Sequence, residues 1–136
     1  MEYMEFVNRV RRDLRFEMIV DAQRAVEASL STFGERLTST QVHRFGSQLP
    51  EQLKGYLVQR PDVEGFTLEE YYNRAAARMG VSYSEGVRRS RTVMVLLKDL
   101  LSEGALHRIL QELPGEYREL FGWAPGGPLS PSAPGA

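Results

Sequence analysis

The sequence predicts an all-α protein, an internally duplicated eight-helix bundle in which two four-helix units pack about a pseudo-twofold axis. Three observations predict this fold. Apolar residues recur at steps of three and four, hydroxyl residues stand at helix starts, and the order of helices repeats after about 64 residues. No stretch combines apolar–polar alternation with β-branched enrichment, so we expect no sheet.

The first unit is predicted to contain two long helices followed by two short ones. Apolar residues at helical spacing mark the long helices at residues 3–14 and 19–37. Thr38 and Gln41 have the spacing of a capping box, which opens the first short helix. Pro50 suits the first position of the second short helix, where a missing N–H costs nothing.

The second unit repeats this long, long, short, short order. Thr67 and Glu70 have the spacing of a second capping box, and Gly80 closes that helix as a left-handed residue. Ser84 is predicted to open the next long helix. The short helices of this unit are expected at residues 106–113 and from Pro114 onwards.

Sliding the chain against itself supports an internal duplication. Offsets of 65 and then 64 residues align nine identical pairs across about 50 positions. Each unit alone is too short to enclose its apolar stripes, so we expect the two to pack together. The pairs are Glu5/Glu70, Asn8/Asn73, Arg9/Arg74, Arg24/Arg88, Leu37/Leu101, His43/His107, Arg44/Arg108, Leu49/Leu113 and Pro50/Pro114.

The predicted domain organisation is one globular helical domain and one tail. The domain spans residues 1–123, with repeats at about 2–58 and 67–122 joined by a connector around Pro61 and Gly65. Residues 124–136 carry no charge and have a proline at every third position. Such a segment cannot bury enough apolar area to offset its ordering entropy, so we expect a disordered tail.

Composition excludes several classes of protein. A net charge of -1 provides no overall field for a polyanion, and the absence of cysteine excludes disulfides and thiolate chemistry. The first residues lack the apolar core of a signal peptide, and the longest aliphatic run, residues 93–97, is far too short to span a bilayer. We therefore expect a cytoplasmic protein.

Several of these segments together resemble the bacterial domain-of-unknown-function 2267 family. They are the starting helix MEYMEFVNRV, the long helix ending in FGERL, the QLP turn, TLEEYYNRAA and the closing LPGEYRELF. The resemblance covers about residues 2–121 and implies an all-helical, duplicated bacterial domain. It implies no activity, cofactor or substrate.

The two histidines are the first candidate for chemistry. His43 and His107 are equivalent in the duplication, and the arginines Arg44 and Arg108 follow them. Two imidazoles are too few for a tetrahedral metal site, and neither lies in a metal-binding spacing. We expect a structural hydrogen bond rather than a metal, a cofactor or catalysis, and we expect no enzyme.

Two arginine clusters are the second candidate. Arg11 and Arg15 are predicted to share one face of the first helix, and Arg88 and Arg91 one face of the long helix of the second unit. Arg24, an equivalent of Arg88, is expected to pair with a nearby carboxylate.

The predicted function is a non-catalytic module for interaction with a protein partner or for self-association. Arginines and an apparent surplus of tyrosines support it, because both residue types are enriched at interfaces. The alternative is an arginine-mediated binder of nucleic acid or another anionic ligand. Nucleic acid is less favoured because acidic residues dilute both clusters, and no membrane association is expected.

Overall fold

The computed structural model describes residues 1–58 and 64–123, and it confirms the all-α prediction. Those residues form seven α-helices and two short 3₁₀ helices, and no strand occurs among them. The predicted tail and most of the predicted connector lie outside the described residues. The helices are α1 Tyr3–Asp13, α2 Ile19–Arg36, α3 Ser39–Gly46, α4 Glu51–Lys54, α5 Leu68–Met79, α6 Tyr83–Leu97, η1 Lys98–Leu100, α7 Glu103–Gln111 and η2 Gly115–Phe121.

The four long helices pack against one another and the short ones attach to them. Helix α2 contacts α1, α5 and α6, while α6 also contacts α1 and α5. Helix α3 packs on α7, and η2 contacts α5, α6 and α7. The helices therefore follow one another in the predicted order in both halves. The duplication and the pseudo-twofold axis stay predictions.

One apolar core joins both halves of the chain. Its centre is the fully buried Phe33 of α2. The Phe33 ring lies 5.2 Å from the ring of Phe45, 6.5 Å from Tyr71 and 5.7 Å from Phe121. These distances are typical of stabilising aromatic pairs, so α2, α3, α5 and η2 meet at one side chain.

The predicted capping boxes form to different extents. Thr38 Oγ1 accepts the Gln41 N–H at 3.1 Å, and Gln41 Oε1 accepts the Thr38 N–H at 2.8 Å, which completes the first box. Thr67 Oγ1 likewise accepts the Glu70 N–H at 3.1 Å. The Glu70 carboxylate, however, bonds Arg74 Nε at 2.8 Å instead of returning to the cap, so the second box is only half formed.

Three predicted helix starts are wrong in detail. Ser82, not Ser84, caps α6, because its extended backbone places Oγ 3.2 Å from the Glu85 N–H. Pro50 and Pro114 occupy the cap position itself, since their ψ angles of 150° and 144° are not helical. The final helix, η2, is 3₁₀ rather than α.

Helices α1 and α5 end in the same backbone motif with different residues. Arg15 follows α1 with φ 59°, and Gly80 follows α5 with φ 71°. After α1 the N–H groups of Arg15 and Phe16 bond the carbonyls of Arg12 and Arg11, which is the Schellman pattern. Gly80 was predicted to close its helix in this conformation, whereas Arg15 was predicted to continue α1.

Replacing Arg15 by glycine is expected to raise the free energy of unfolding by about 0.5–1 kcal/mol. A side chain with a Cβ is strained at positive φ, and glycine is not. The matched change, Gly80→Ala, should lower it by about 1 kcal/mol, because no atom crowds its Cβ and only the backbone strain counts. Urea denaturation of both variants measures the effect. A lower free energy of unfolding for the Arg15→Gly variant would contradict the strain expected for the left-handed conformation of Arg15.

Candidate functional site

A groove lies along the outer face of α6, where α1 packs beside it. We call it the α1–α6 groove. It encloses about 800 Å³, and Val87, Val95 and Leu96 form the apolar part of its lining. Four cationic side chains also line it, although the whole chain carries a net charge of -1. They are Arg9 from α1, Arg88 and Arg91 from α6, and Lys98 from η1.

Three of these cations, Arg9, Arg91 and Lys98, have no salt bridge within the described part of the chain. Among the described residues, no carboxylate oxygen lies within 4.0 Å of the guanidinium group of Arg9 or Arg91, or of the Lys98 ammonium. The Arg91 Nε atom is buried and has no hydrogen-bond partner. Arg88, by contrast, bonds Glu85 at 2.6 Å, and this bond lowers the pKa of the Glu85 carboxyl. Because Lys98 has a cation–π contact, the groove cations with neither a salt bridge nor a cation–π contact among the described residues are Arg9 and Arg91.

The end of the groove near η1 is defined by Lys98. Its ammonium lies 4.3 Å from the centre of the Trp123 ring, a cation–π contact. Burial lowers the pKa of Lys98, and the nearby Asp99 carboxylate opposes that effect. Trp123 is the single tryptophan and is 3% exposed. Its fluorescence therefore reports on this end of the groove.

Two acidic side chains also line the groove. Asp13 stands one helical turn after Arg9 on α1, and Asp99 follows Lys98 in η1. Four cations against two carboxylates leave the lining positive. The groove therefore has the composition of an interaction surface: a small apolar area with charged groups along it.

The two histidines, for which a structural hydrogen bond was expected, make no side-chain hydrogen bond among the described residues. His43 and His107 are both exposed, and no hydrogen bond or ion pair joins them in the described structure. His43 lies in a separate shallow depression of about 560 Å³ on α3, beside Arg44. Among the described residues no three His, Asp or Glu side chains cluster closely enough to hold a metal ion.

The arginines beside the histidines have a structural role. Arg44 Nη1 bonds the Glu112 carboxylate at 3.0 Å, and Arg108 lies 3.8 Å from the same carboxylate. Gln41 also donates to Glu112, at 3.1 Å. This bond, together with the one from Arg44, lowers the pKa of Glu112. Arg44 and Glu112 therefore link α3 to α7, and the predicted inter-helix hydrogen bond comes from the arginine rather than the histidine.

Arg9 and Arg74, which the predicted duplication aligns, make different contacts in the structure. Arg74 bonds Glu70 at 2.8 Å and Glu64 at 2.9 Å, and it lies 3.6 Å from the buried Glu35. It therefore ties α5 to α2 and to the segment before α5. Arg9 makes no such contact with any described residue and lines the groove instead. The predicted ion pair of Arg24 is absent among the described residues, where Arg24 is simply exposed.

Two further expectations are corrected by the structure. Arg11 and Arg15 do not share a helical face, because α1 ends at Asp13 and Arg15 lies beyond it in the left-handed conformation. Arg11 donates instead to the Phe16 carbonyl at 3.3 Å. The expected surplus of surface tyrosines is also wrong. It was based on five of the six tyrosines, and of these only Tyr83 is exposed. Tyr71 and Tyr72 are buried, and Tyr3 and Tyr56 are half-buried and bonded to each other.

Sequence reasoning missed that Arg9 of α1 lines one surface together with Arg88 and Arg91 of α6. It treated α1 and α6 separately, and it did not single out Lys98. A signal was present in the spacing of polar and basic residues along α6. Ser84, Arg88, Arg91, Val95 and Lys98 follow one another at steps of four and three, which places them on one helical face.

The described residues form an all-helical protein with a positively charged groove beside α6, and no metal ligands cluster among them. The chain belongs to the family of uncharacterized conserved proteins termed DUF2267, which it matches over residues 3–120. No curated protein matches the chain significantly. None of the described helices is long and apolar enough to cross a membrane.

Proposed function

We propose that the chain is a non-catalytic binding module that takes an acidic segment of a protein partner in the α1–α6 groove. The observation that carries the proposal is the pair of arginines on the two flanking helices. Arg9 and Arg91 have no carboxylate within 4.0 Å among the described residues, although the sequence contains 18 acidic residues. An acidic ligand would supply the missing partners and would have apolar side chains of the groove beside it.

Nucleic acid is the second candidate, because cations also bind phosphates. The lining of the α1–α6 groove supports nucleic-acid binding less well than binding of an acidic protein segment. Asp13 and Asp99 would face a densely charged backbone, and the lining includes no aromatic side chain on which a base could stack. A second copy of the chain is a further candidate for the partner. Light scattering over a range of concentrations tests that candidate.

The proposal predicts that charge reversal at Arg9 weakens binding of an acidic polypeptide. Fluorescein-labelled poly-glutamate should bind the wild-type protein at low ionic strength, with an affinity that falls as salt is added. Arg9→Glu should weaken this binding by about tenfold, because reversal replaces an attraction by a repulsion. Fluorescence anisotropy of the label measures it, and Trp123 emission shows whether the η1 end of the groove is involved.

Arg24→Glu is the matched control. Arg24 is likewise an exposed helical arginine without an ion pair among the described residues, but it does not line the groove. The Arg24→Glu variant changes the net charge by the same amount as Arg9→Glu. It should nevertheless leave the affinity for poly-glutamate within about twofold of wild type. If both variants weaken poly-glutamate binding equally, the ligand responds to net charge alone, which would contradict binding in the α1–α6 groove. Tighter binding of a DNA oligonucleotide than of poly-glutamate would favour the second candidate.

A further inference from the structure

One face of α6 carries residues at the spacing with which a helix packs against another helix. Ser84, Arg88, Arg91, Val95 and Lys98 succeed one another at steps of four and three, the repeat by which helices pack side by side. From Ser84 to Lys98 the face extends about 20 Å. Ser84, Arg88 and Val95 on this face are exposed, Val95 by 38%, and Arg91 and Lys98 are half-buried.

We propose that the occupant of the groove is an acidic amphipathic helix of about four turns from a protein partner. This inference rests on the proposed function and specifies the partner segment. The apolar stripe of that helix would cover Val87 and Val95. Its carboxylates would pair with the arginines that lack partners, Arg9 on one side and Arg91 on the other.

Charge complementarity is the argument for an acidic rather than a basic helix. The groove lining has four cations and two carboxylates, and one of the cations, Arg88, is already bonded to Glu85. A basic helix would leave Arg9 and Arg91 without partners and would add repulsion. An acidic helix would pair with both arginines, and only Asp13 and Asp99 in the lining would repel its carboxylates.

The geometry argues for a helix rather than an extended segment. The described residues contain no strand, so no sheet edge offers backbone hydrogen bonds to an added strand. An extended peptide would have to recognise the groove by side chains alone. A helix satisfies its own backbone and matches the three-and-four steps of α6 with its own apolar residues.

Two labelled peptides of identical composition test the inference on the full-length protein. The first places leucines at helical spacing on one face and glutamates beside them. The second has the same residues in scrambled order without a stripe. We expect the first to bind about tenfold more tightly, because only it buries apolar side chains while pairing its charges. Anisotropy measures both, and circular dichroism follows helix formation on binding.

Matched substitutions locate the binding surface. Val95→Gln and Arg9→Glu should each weaken binding of the amphipathic peptide by about tenfold. Val20→Gln and Arg24→Glu should not, because both are exposed helical residues outside the groove lining. Val95 and Arg9 are themselves exposed enough that these variants should fold, which far-ultraviolet circular dichroism verifies.

The outcomes separate this inference from the proposed function. Equal affinity for the scrambled peptide, or stronger groove-dependent binding of duplex DNA, overturns the helical ligand. If the scrambled peptide binds with equal affinity, poly-glutamate binding that depends on Arg9 would still support the proposed function, binding of an acidic segment in the groove. If Arg9→Glu and Val95→Gln leave the affinities of all probes unchanged, the groove is the wrong surface and both proposals fall.

Discussion

Replacing Phe33 by alanine is expected to lower the free energy of unfolding by about 3–5 kcal/mol. The Phe33 ring is fully buried and contacts three aromatic rings from α3, α5 and η2. Its removal leaves a cavity that four helices border, and the rigid ring of Tyr71, whose hydroxyl bonds the Ser29 carbonyl at 2.8 Å, restricts collapse into it. Chemical denaturation followed by circular dichroism measures the loss.

The number of unfolding transitions is the more informative result. Phe45 belongs to the first half of the chain, and Tyr71 and Phe121 belong to the second, so Phe33 joins the two halves in one core. We therefore expect one cooperative transition in the wild type and in the variant. Two separated transitions would show that the halves fold independently and would contradict the shared core.

Phe16→Ala is the control for this prediction. Phe16 is half-buried at the edge of the core, with the Arg89 guanidinium 4.7 Å from the ring centre. Loss of this ring should cost less than half as much as loss of Phe33, because solvent fills the space that it leaves. A similar cost at both positions would mean that Phe33 has no special place in the core.

The sequence predicted the helices well because local signals determine them. Apolar spacing located all four long helices, and Thr38, Thr67 and Gly80 marked helix ends correctly. The errors occurred where two local solutions compete. Ser82 and Ser84 can each cap a helix, and only the backbone angles decide between them. The left-handed Arg15 was not predictable, because arginine carries no local preference for that conformation.

The candidate site depended on long-range contacts that no single helix reveals. The sequence singled out Arg88 and Arg91 on α6, but the groove that they share with Arg9 exists only because α1 packs beside α6. It also suggested that Arg9 and Arg74 are equivalent. In the structure Arg74 is held by three carboxylates, and Arg9 has none among the described residues. An arginine with carboxylate partners in the folded structure has a structural role, whereas one without them is a candidate for ligand binding. The residue type alone does not distinguish the two.

The groove also depends on how closely α5 and α6 approach each other. A Cβ on Gly86 of α6 would lie 2.5 Å from Ala76 Cβ and 2.9 Å from Ala76 Cα. Those distances are shorter than atoms tolerate, so any side chain there must push the two backbones apart. Because α6 forms one whole side of the groove, such a shift would also displace Arg91 and Val95 relative to Arg9.

Gly86→Ala is therefore expected to lower the free energy of unfolding by about 1–3 kcal/mol. Glycine to alanine within a helix normally stabilises by about 1 kcal/mol, so the close contact reverses the usual sign. Gly104→Ala in α7 is the matched control, since no atom lies within 4 Å of its Cβ, and it should be neutral or stabilising. Thermal and urea denaturation of both variants provide the comparison.

A second substitution tests the cause of this destabilisation. Ala76→Gly removes the Cβ that the new side chain would strike, and alone it should cost about 1 kcal/mol from helix propensity. Combined with Gly86→Ala it should cost less than the two single changes added together, because Ala76→Gly removes the Cβ atom that the new alanine side chain would strike. Simple additivity would mean that α5 and α6 are not held at this distance. Peptide binding by the double variant would then show whether the α5–α6 contact also sets the width of the α1–α6 groove.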